Sequence, residues 1–223
     1  MNRPVGRRLA ALAYVAGLTP NQVTALAGVS TFAGIAAIAV FDPSVSSSLL
    51  VSALLVLGYA LDSADGQLAR LTGAGSLAGE WLDHILDAAK TATLHVAVLV
   101  CWVRFYAVPL PWLSVPVVYG SVASVFFFGV IATDLLRRIH RLGHPVAPES
   151  PESPSPAWRS NPLYSLVVLP TDYGFLCLSF LLLWWHPGFM VVYTALAAAN
   201  LVVLPLAAWR WYRSLKSLDR SNA

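Results

Sequence analysis

Residues 49–70 of the chain read LLVSALLVLGYALDSADGQLAR, a long apolar run that ends in two aspartates and an arginine. A glycine-rich link, TGAGS at residues 72–76, separates it from LAGEWLDHILDAAKTATLHVAVLVCWV, a second apolar run over residues 77–103. About 20 apolar residues are enough for a helix that crosses a bilayer. The two runs therefore predict a pair of membrane helices with acidic side chains at their connected ends.

The composition of the whole chain extends this prediction. Of its 223 residues, 57% are hydrophobic and 11% are charged, and the mean hydropathy is +0.67. A soluble domain carries about 25% charged residues, so the composition excludes a soluble chain, and it equally excludes a disordered one. Two cysteines cannot form a disulfide framework, and a net charge of +3 gives no reason to expect a nucleic-acid partner. An all-α integral membrane protein remains.

Further apolar runs complete a predicted bundle of six membrane helices, which we expect to form one transmembrane domain over residues 1–223. The spans are predicted at about residues 22–41, 49–69, 80–106, 112–136, 163–185 and 188–211. Residues 142–162 are rich in proline and are expected to form the one long loop.

The N-terminal segment is polar on one side and apolar on the other. Arg3, Arg7 and Arg8 precede a short apolar stretch, which is interrupted by Thr19 and Pro20. We expect an amphipathic helix on the membrane surface, then a turn that Thr19 caps. A secretory signal is the other interpretation of this segment.

The basic residues predict the orientation of the bundle. With the N-terminus inside, all but two of the 14 Lys and Arg residues fall on the inner side. The exceptions are Arg104, in an outer loop, and Lys90, within a span. Cytoplasmic loops are enriched in Lys and Arg, so both termini and the acidic helix ends are expected in the cytoplasm.

Four aspartates at those helix ends are the main candidates for a functional site. Asp62 and Asp65 are three residues apart, and Asp83 and Asp87 are four apart, so each pair lies on neighbouring helix positions. If the two helices are antiparallel neighbours, the four carboxylates converge. Two carboxylates about 5 Å apart repel by about 3 kcal/mol at an effective dielectric of 20, so cations are required. Oxygen ligands without a Cys or His pair favour Mg²⁺ or Mn²⁺.

Two other interpretations of the aspartates stay open at this point. They could cap helices and pair with Arg70 and Lys90, although two cations cannot neutralise four anions. They could also belong to an ion or proton pathway, although the acids cluster at one surface and do not continue across the bilayer.

Small residues and one arginine accompany the aspartates. Gly66, Ala69 and Gly79 would allow a ligand or a backbone to approach closely, and Arg70 offers a planar fork suited to phosphate. A pocket of this kind fits a metal-bound diphosphate. The alternative is a close helix–helix contact with an arginine that only sets membrane orientation.

Together these residues form a motif that resembles that of a known family. It reads Asp-x-x-Asp-Gly-x-x-Ala-Arg from Asp62, then eight residues, then Gly-x-x-x-Asp-x-x-x-Asp from Gly79. This is similar to the complete motif of the CDP-alcohol phosphotransferase family of membrane enzymes. The six predicted spans, the preceding surface helix and Pro20-Asn21-x-x-Thr24 extend the resemblance over most of the chain.

The resemblance implies a reaction in which an acceptor hydroxyl attacks the phosphorus distal to cytidine in a CDP-alcohol, and CMP leaves. By similarity, Asp62, Asp65 and Asp83 would hold two divalent ions, and Asp87 would share in metal binding and act as the base. The cytidine and diphosphate site would be lined by Gly66, Ala69, Arg70 and Gly79.

The substrates are expected only at a coarser level. The expected donor is CDP-diacylglycerol, with a polar alcohol of unknown identity as acceptor. The inverted reaction, from a soluble CDP-alcohol to a lipid hydroxyl, is the alternative within the class. A transporter and a catalytically silent scaffold are the alternatives outside it. The expected partners are the lipid bilayer and, as in other family members, a second copy of the chain. A bacterial cytoplasmic membrane is the expected location.

Several polar residues outside the motif could also contribute to the site, but each has a second, purely structural interpretation. Asn21 and Thr24 either border the site or only cap and pack the first span. Lys90 either contacts phosphate or pairs with Asp87, and the pair is preferred. Arg137 and Arg138 either meet a phosphorylated acceptor or only anchor the helix.

For four other polar side chains we expect mainly structural roles. Glu80 is expected to be solvated and His84 to point elsewhere, whereas His95 is expected to bond to a neighbouring helix. Asp172 is either an intramembrane acid or the start of a later span.

Overall fold

The computed structural model describes residues 3–143 and 172–220, within which every regular element is helical. The helices are α1 (Arg3–Val15), α2 (Pro20–Val40), α3 (Val45–Thr72), α4 (Leu77–Cys101), α5 (Ser114–Gly143), α6 (Tyr173–Ser179) and α7 (His186–Arg220). A π-helical segment, Trp102–Tyr106, continues α4, and 3₁₀ turns precede α5 and follow α6, at Leu110–Leu113 and Phe180–Leu182. The predicted all-α fold is confirmed.

In the described part of the chain, five stretches of helix are long and apolar enough to cross a membrane. They are Pro20–Val40, Val45–Thr72, Leu77–Tyr106, Leu110–Gly143 and His186–Asp219. These match the predicted first to fourth and sixth spans, and several run past the predicted limits because the helix continues into the more polar residues that flank the apolar run. The predicted span at 163–185 is described only from residue 172, as the short apolar helix Tyr173–Leu182. The predicted loop at 142–162 lies outside the described residues from position 144 onwards.

The sequence fixes the helix ends near the acidic residues. Thr19 and Gln22 form a reciprocal capping box at the start of α2, with Pro20 in the first turn, as expected. α3 ends at Gly73, whose φ of 64° lies in the left-handed region that glycine adopts without strain. Ser76 then caps α4 by accepting a hydrogen bond from the amide of Gly79. The link between α3 and α4 is therefore a short, well-defined turn.

The predicted surface helix, α1, packs along the end of α3. Ala10 and Ala13 are buried against Ala64 and Leu68. Gly6 lies so close to α3 that an added Cβ would come within 2.6 Å of the Ser63 hydroxyl. These small residues let the two helices approach closely, so α1 is held against the segment that carries Asp62 and Asp65.

The main apolar core fills the opposite end of the bundle. Its largest fully buried side chains include Trp102, Phe180, Phe189 and Tyr193. His95 is buried beside them and its Nδ1 lies 2.6 Å from the Tyr193 hydroxyl on α7, which confirms the predicted bond to a neighbouring helix. The acidic end of the bundle is thus the less tightly filled one.

Candidate active site

Three of the four predicted aspartates meet between α3 and α4. Asp62 lies on α3, and Asp83 and Asp87 lie one turn apart on α4. One carboxylate oxygen from each side chain lies within 4.8 Å of the others. α2 packs against both α3 and α4 and holds them in place around this cluster. All three side chains are half-buried. Such a group of oxygen atoms suits a hard divalent cation.

Lys90 forms a bridge between two of these carboxylates. Its Nζ lies 2.5 Å from Oδ1 of Asp87 and 3.3 Å from Oδ1 of Asp62. Of the two interpretations given for Lys90, the structure shows the ion pair. Oδ1 of Asp87 is therefore held by the ammonium group of Lys90. A cation that binds this oxygen would compete with Lys90 for it.

The fourth aspartate, Asp65, faces α2 instead of joining the other three. Its Oδ2 accepts a 2.5 Å hydrogen bond from the Thr24 hydroxyl, and its Oδ1 accepts one of 2.5 Å from the backbone amide of Gly66. Asp65 is buried. From the sequence, Thr24 could either border the site or only pack the first span. The structure places it beside Asp65, at the site.

A cavity of about 490 Å³ opens beside the carboxylates. Its lining includes the four residues that the resemblance implies for the cytidine and diphosphate, which are Gly66, Ala69, Arg70 and Gly79. Asn21 and Thr24 line it as well. Asp65 and Asp83 reach it from the cluster. Its volume lies within the range of about 300–1,000 Å³ usual for small-molecule sites.

One glycine of the motif, Gly79, has a steric reason at this cavity. A Cβ added to Gly79 would come within 2.7 Å of Oδ1 of Asn21, so a larger residue would displace that side chain. A Cβ added to Gly66 would meet the Arg70 guanidinium only at 3.8 Å, which is an ordinary contact distance. The absence of a side chain at Gly79 thus leaves the Asn21 side chain its place on the cavity wall.

A second cavity, of about 560 Å³, lies on the α1 side of the same carboxylates. It shares Asp65, Gly66, Arg70 and Asp83 with the first cavity and adds four further residues: Arg7, Asp62, Ser63 and Gln67. From the sequence alone, Arg7 has a role only in membrane orientation. The small residues Gly6, Ala10 and Ala13 could have indicated that one face of α1 packs closely on another helix.

The two remaining basic candidates, Arg137 and Arg138, differ in position. Arg138 lines the first cavity and pairs with Glu80 at 2.5 Å and with Asp134 at 2.7 Å. Glu80 was expected to be solvated, but α5 brings Arg138 next to it. Arg137 donates a 2.7 Å hydrogen bond to the Ser214 hydroxyl on α7 and is not among the lining residues of either cavity.

The two other acidic and histidine candidates lie outside the cluster. Nε2 of His84 lies 3.8 Å from Glu80, away from the three-carboxylate group, as expected. Asp172 caps the start of α6 by accepting a bond from Gly174, and it also accepts one from the Tyr59 hydroxyl. Of the two interpretations of Asp172, the described residues therefore favour the one in which it precedes a helix that starts at Tyr173.

The fold and the site together define a multi-pass membrane protein with a carboxylate centre beside a ligand-sized cavity. The family model of CDP-alcohol phosphatidyltransferases matches residues 17–209. The chain belongs to this family of transferases, which confirms the resemblance read from its motif.

Comparisons with individual proteins agree with this family. The chain is similar to archaetidylinositol phosphate synthase of Pyrococcus horikoshii, with 33% identity over 90 residues, which make up 40% of the chain and 43% of that relative. The matched region thus spans less than half of the curated relative's length.

Solved structures of phosphatidylinositol phosphate synthase from Mycobacterium tuberculosis share the fold. The structure with CDP-DAG bound has a TM-score of 0.55 and 18% identity, with coverage of 94% of this chain and 92% of that one. The structure in complex with manganese and citrate has a TM-score of 0.53 and 20% identity, with coverage of 92% and 88%.

Proposed function

We propose that this protein transfers a phosphatidyl group from CDP-diacylglycerol to the hydroxyl of a polar acceptor and releases CMP. One observation carries the proposal. The oxygens of Asp62, Asp83 and Asp87 meet within 4.8 Å, next to a cavity of about 490 Å³ that is lined by Gly66 and Arg70. Membership of the family supports the reaction type, and the structure of a relative with CDP-DAG bound supports the donor.

The aspartates are the proposed metal ligands. Asp62, Asp83 and Asp87 offer only hard oxygen donors, and one oxygen from each lies within 4.8 Å of the others. Asp65, on the side of α3 that faces α2, is the fourth proposed metal ligand. Lys90 is the cation paired with this group, so substantial negative charge remains to be balanced. Two Mg²⁺ or Mn²⁺ ions would balance it, neutralise the diphosphate and make CMP a better leaving group.

Protein side chains do the remaining work. Thr24 orients Asp65 through its 2.5 Å hydrogen bond. Asp87 takes the proton of the acceptor hydroxyl as the hydroxyl oxygen attacks phosphorus, a role within the reach of a positioned carboxylate. The guanidinium of Arg70 faces the cavity and binds phosphate oxygens, while Gly66, Ala69 and Gly79 leave room for the nucleotide.

We also propose that the acidic end of the bundle faces the cytoplasm of a bacterial cell. The basis is the distribution of Lys and Arg, which places all but two of 14 on that side. CDP-activated precursors are charged and do not cross the bilayer, so a cytoplasmic site would give them access.

The decisive experiment is CMP release by the purified protein. The assay contains CDP-diacylglycerol, Mg²⁺ or Mn²⁺ and a panel of acceptors that includes glycerol phosphate, inositol phosphate and serine. The Asp87→Asn variant serves as the inactive form, and Asp42→Asn, at the opposite end of α3, serves as the matched control. Metal-dependent release that requires one acceptor and is lost in Asp87→Asn supports the proposal.

Two other results would change the assignment. CMP release only from a soluble CDP-alcohol and a lipid hydroxyl would establish the inverted reaction. Absence of release with every donor from folded, metal-loaded protein would reject the proposed activity.

A further inference from the structure

We propose that Arg7, on the surface helix α1, is a substrate-binding residue that contacts a phosphate group at the carboxylate site. It lies outside the motif and outside the spans, so nothing in the motif assigns it. The inference rests on the proposed function, since it concerns a substrate of that same site.

Arg7 lies on the wall of the second cavity. Arg7 lines the cavity of about 560 Å³ whose other walls include Asp62, Asp83 and Arg70. This cavity shares four of its residues with the one proposed for the nucleotide, so a molecule in either of them reaches the same carboxylates. A side chain on this wall is therefore within reach of a substrate at the reacting centre.

Close packing on α3 holds α1 in place. Gly6, next to Arg7, packs against Ser63 and Gln67, and Ala10 and Ala13 are buried against α3. A residue on a freely mobile terminal helix would face the cavity only part of the time. Close packing on the helix that carries Asp62 instead positions the backbone of Arg7 at the rim of the site.

The basic residues around the carboxylates and the two cavities differ in whether they have acidic partners. Lys90 is paired with Asp62 and Asp87, and Arg138 is paired with Glu80 and Asp134. Arg7 and Arg70, in contrast, form no ion pair with any residue in the described ranges 3–143 and 172–220. A guanidinium beside acidic groups but paired with none of them is available for an anionic ligand.

Arg7 and Arg70 both line the cavity of about 560 Å³, and a planar guanidinium fork suits the oxygens of a phosphate group. Two sources of phosphate meet at the site. One is the diphosphate of the donor, and the other is a phosphorylated acceptor. The chemistry at Arg7 is the same in both cases, and kinetics can separate them.

The test compares Arg7→Gln with Arg8→Gln in the full-length protein, with Arg7→Lys as the conservative variant. Arg8 is the matched control because it is exposed, carries the same charge and lines neither cavity. Any effect on membrane contact or orientation would appear equally in both glutamine variants. Loss of a charge-assisted contact should raise one KM by about tenfold or more in Arg7→Gln alone, with partial recovery in Arg7→Lys.

The KM that changes names the source of the phosphate. A higher KM for CDP-diacylglycerol assigns Arg7 to the donor, and a higher KM for a phosphorylated acceptor assigns it to the acceptor. Unchanged values for both, or an equal effect in Arg8→Gln, would overturn the inference while leaving the proposed function intact.

A binding measurement keeps the inference separate from the proposed activity. Calorimetric titration with CDP in the presence of Mn²⁺ needs no turnover. If the wild type releases no CMP, the proposed function fails, and weaker CDP binding by Arg7→Gln than by Arg8→Gln would still support the role of Arg7. Equal CDP binding by the two variants of such an inactive protein, or no CDP binding by the wild type, would reject it.

Discussion

The hydroxyl of Thr24 donates a 2.5 Å hydrogen bond to Oδ2 of Asp65 across the interface between α2 and α3. Both side chains are buried. The bond ties the start of the first span to the motif helix and fixes the direction of a carboxylate on the wall of the cavity proposed for the nucleotide. The N-terminal end of α2 is therefore part of the site as well as a membrane span.

The Thr24→Val variant tests this contact. The change keeps the side-chain shape but leaves Oδ2 of Asp65 buried without its donor, which costs about 1–3 kcal/mol of stability. We expect a thermal midpoint several degrees lower and a reduced rate of CMP release. The control is Thr93→Val, because the exposed Thr93 hydroxyl bonds only to the backbone of its own helix. Equal behaviour of the two variants would show that the Thr24 bond does not support the site.

The bridge made by Lys90 gives a second expectation. Removing one partner of a buried ion pair costs about 3–5 kcal/mol because the remaining charges are left uncompensated. We expect Lys90→Met to lower the thermal midpoint strongly in a chelator and much less in Mn²⁺, since a divalent ion neutralises the same carboxylates. The measurement is thermal unfolding in detergent under both conditions.

The chain's other lysine provides the control for that experiment. Lys216 is exposed near the end of α7, and Lys216→Met should change the thermal midpoint little in either condition. A loss of stability in Lys90→Met that Mn²⁺ does not reverse would contradict the proposed metal site at Asp62 and Asp87.

Much of this architecture could be predicted from the sequence because it depends on local patterns. Apolar length gave the spans, Thr19 and Pro20 gave the start of α2, and the glycine-rich link gave the turn between α3 and α4. The spacing of the aspartates likewise indicated a carboxylate cluster. These features depend on residues close together in the chain, so a single sequence contains the information for them.

The differences come from contacts between distant segments. Residues three apart on a helix point about 60° apart, so Asp62 can face α4 while Asp65 faces Thr24 on α2. Which helix fills each direction depends on tertiary packing. In the same way, the pair between Glu80 and Arg138 depends on how α4 and α5 dock, and spacing along one helix gives no information about it.

Metal binding can be measured directly on the aspartates. Asp83 offers an oxygen to the three-carboxylate group, so Asp83→Asn removes a charged ligand. We expect Mn²⁺ affinity, followed by electron paramagnetic resonance of the free ion, to fall by about tenfold or more. Asp42→Asn, which changes an exposed acid in the link between α2 and α3, should bind Mn²⁺ as the wild type does. Unchanged Mn²⁺ affinity in Asp83→Asn would exclude this residue as a ligand.

The Gly79→Ala variant tests whether the donor occupies the first cavity. A methyl group on Gly79 would come within 2.7 Å of Oδ1 of Asn21 and 3.1 Å of Oγ of Ser76, so the Asn21 side chain must move. Because that side chain is flexible and lines the cavity, the fold should tolerate Gly79→Ala while the space for the donor shrinks. We expect a higher KM for CDP-diacylglycerol, a nearly unchanged thermal midpoint and little change in the KM of the acceptor.

The matched control for Gly79 lies on the wall of the same cavity. An added Cβ on Gly75 would meet no atom within 4 Å, so Gly75→Ala adds the same methyl group without displacing a neighbour. Its kinetics should match those of the wild type. If both alanine variants raise the KM of the donor equally, loss of backbone freedom in the turn explains the effect. If neither variant does so, the donor does not occupy the space beside Asn21.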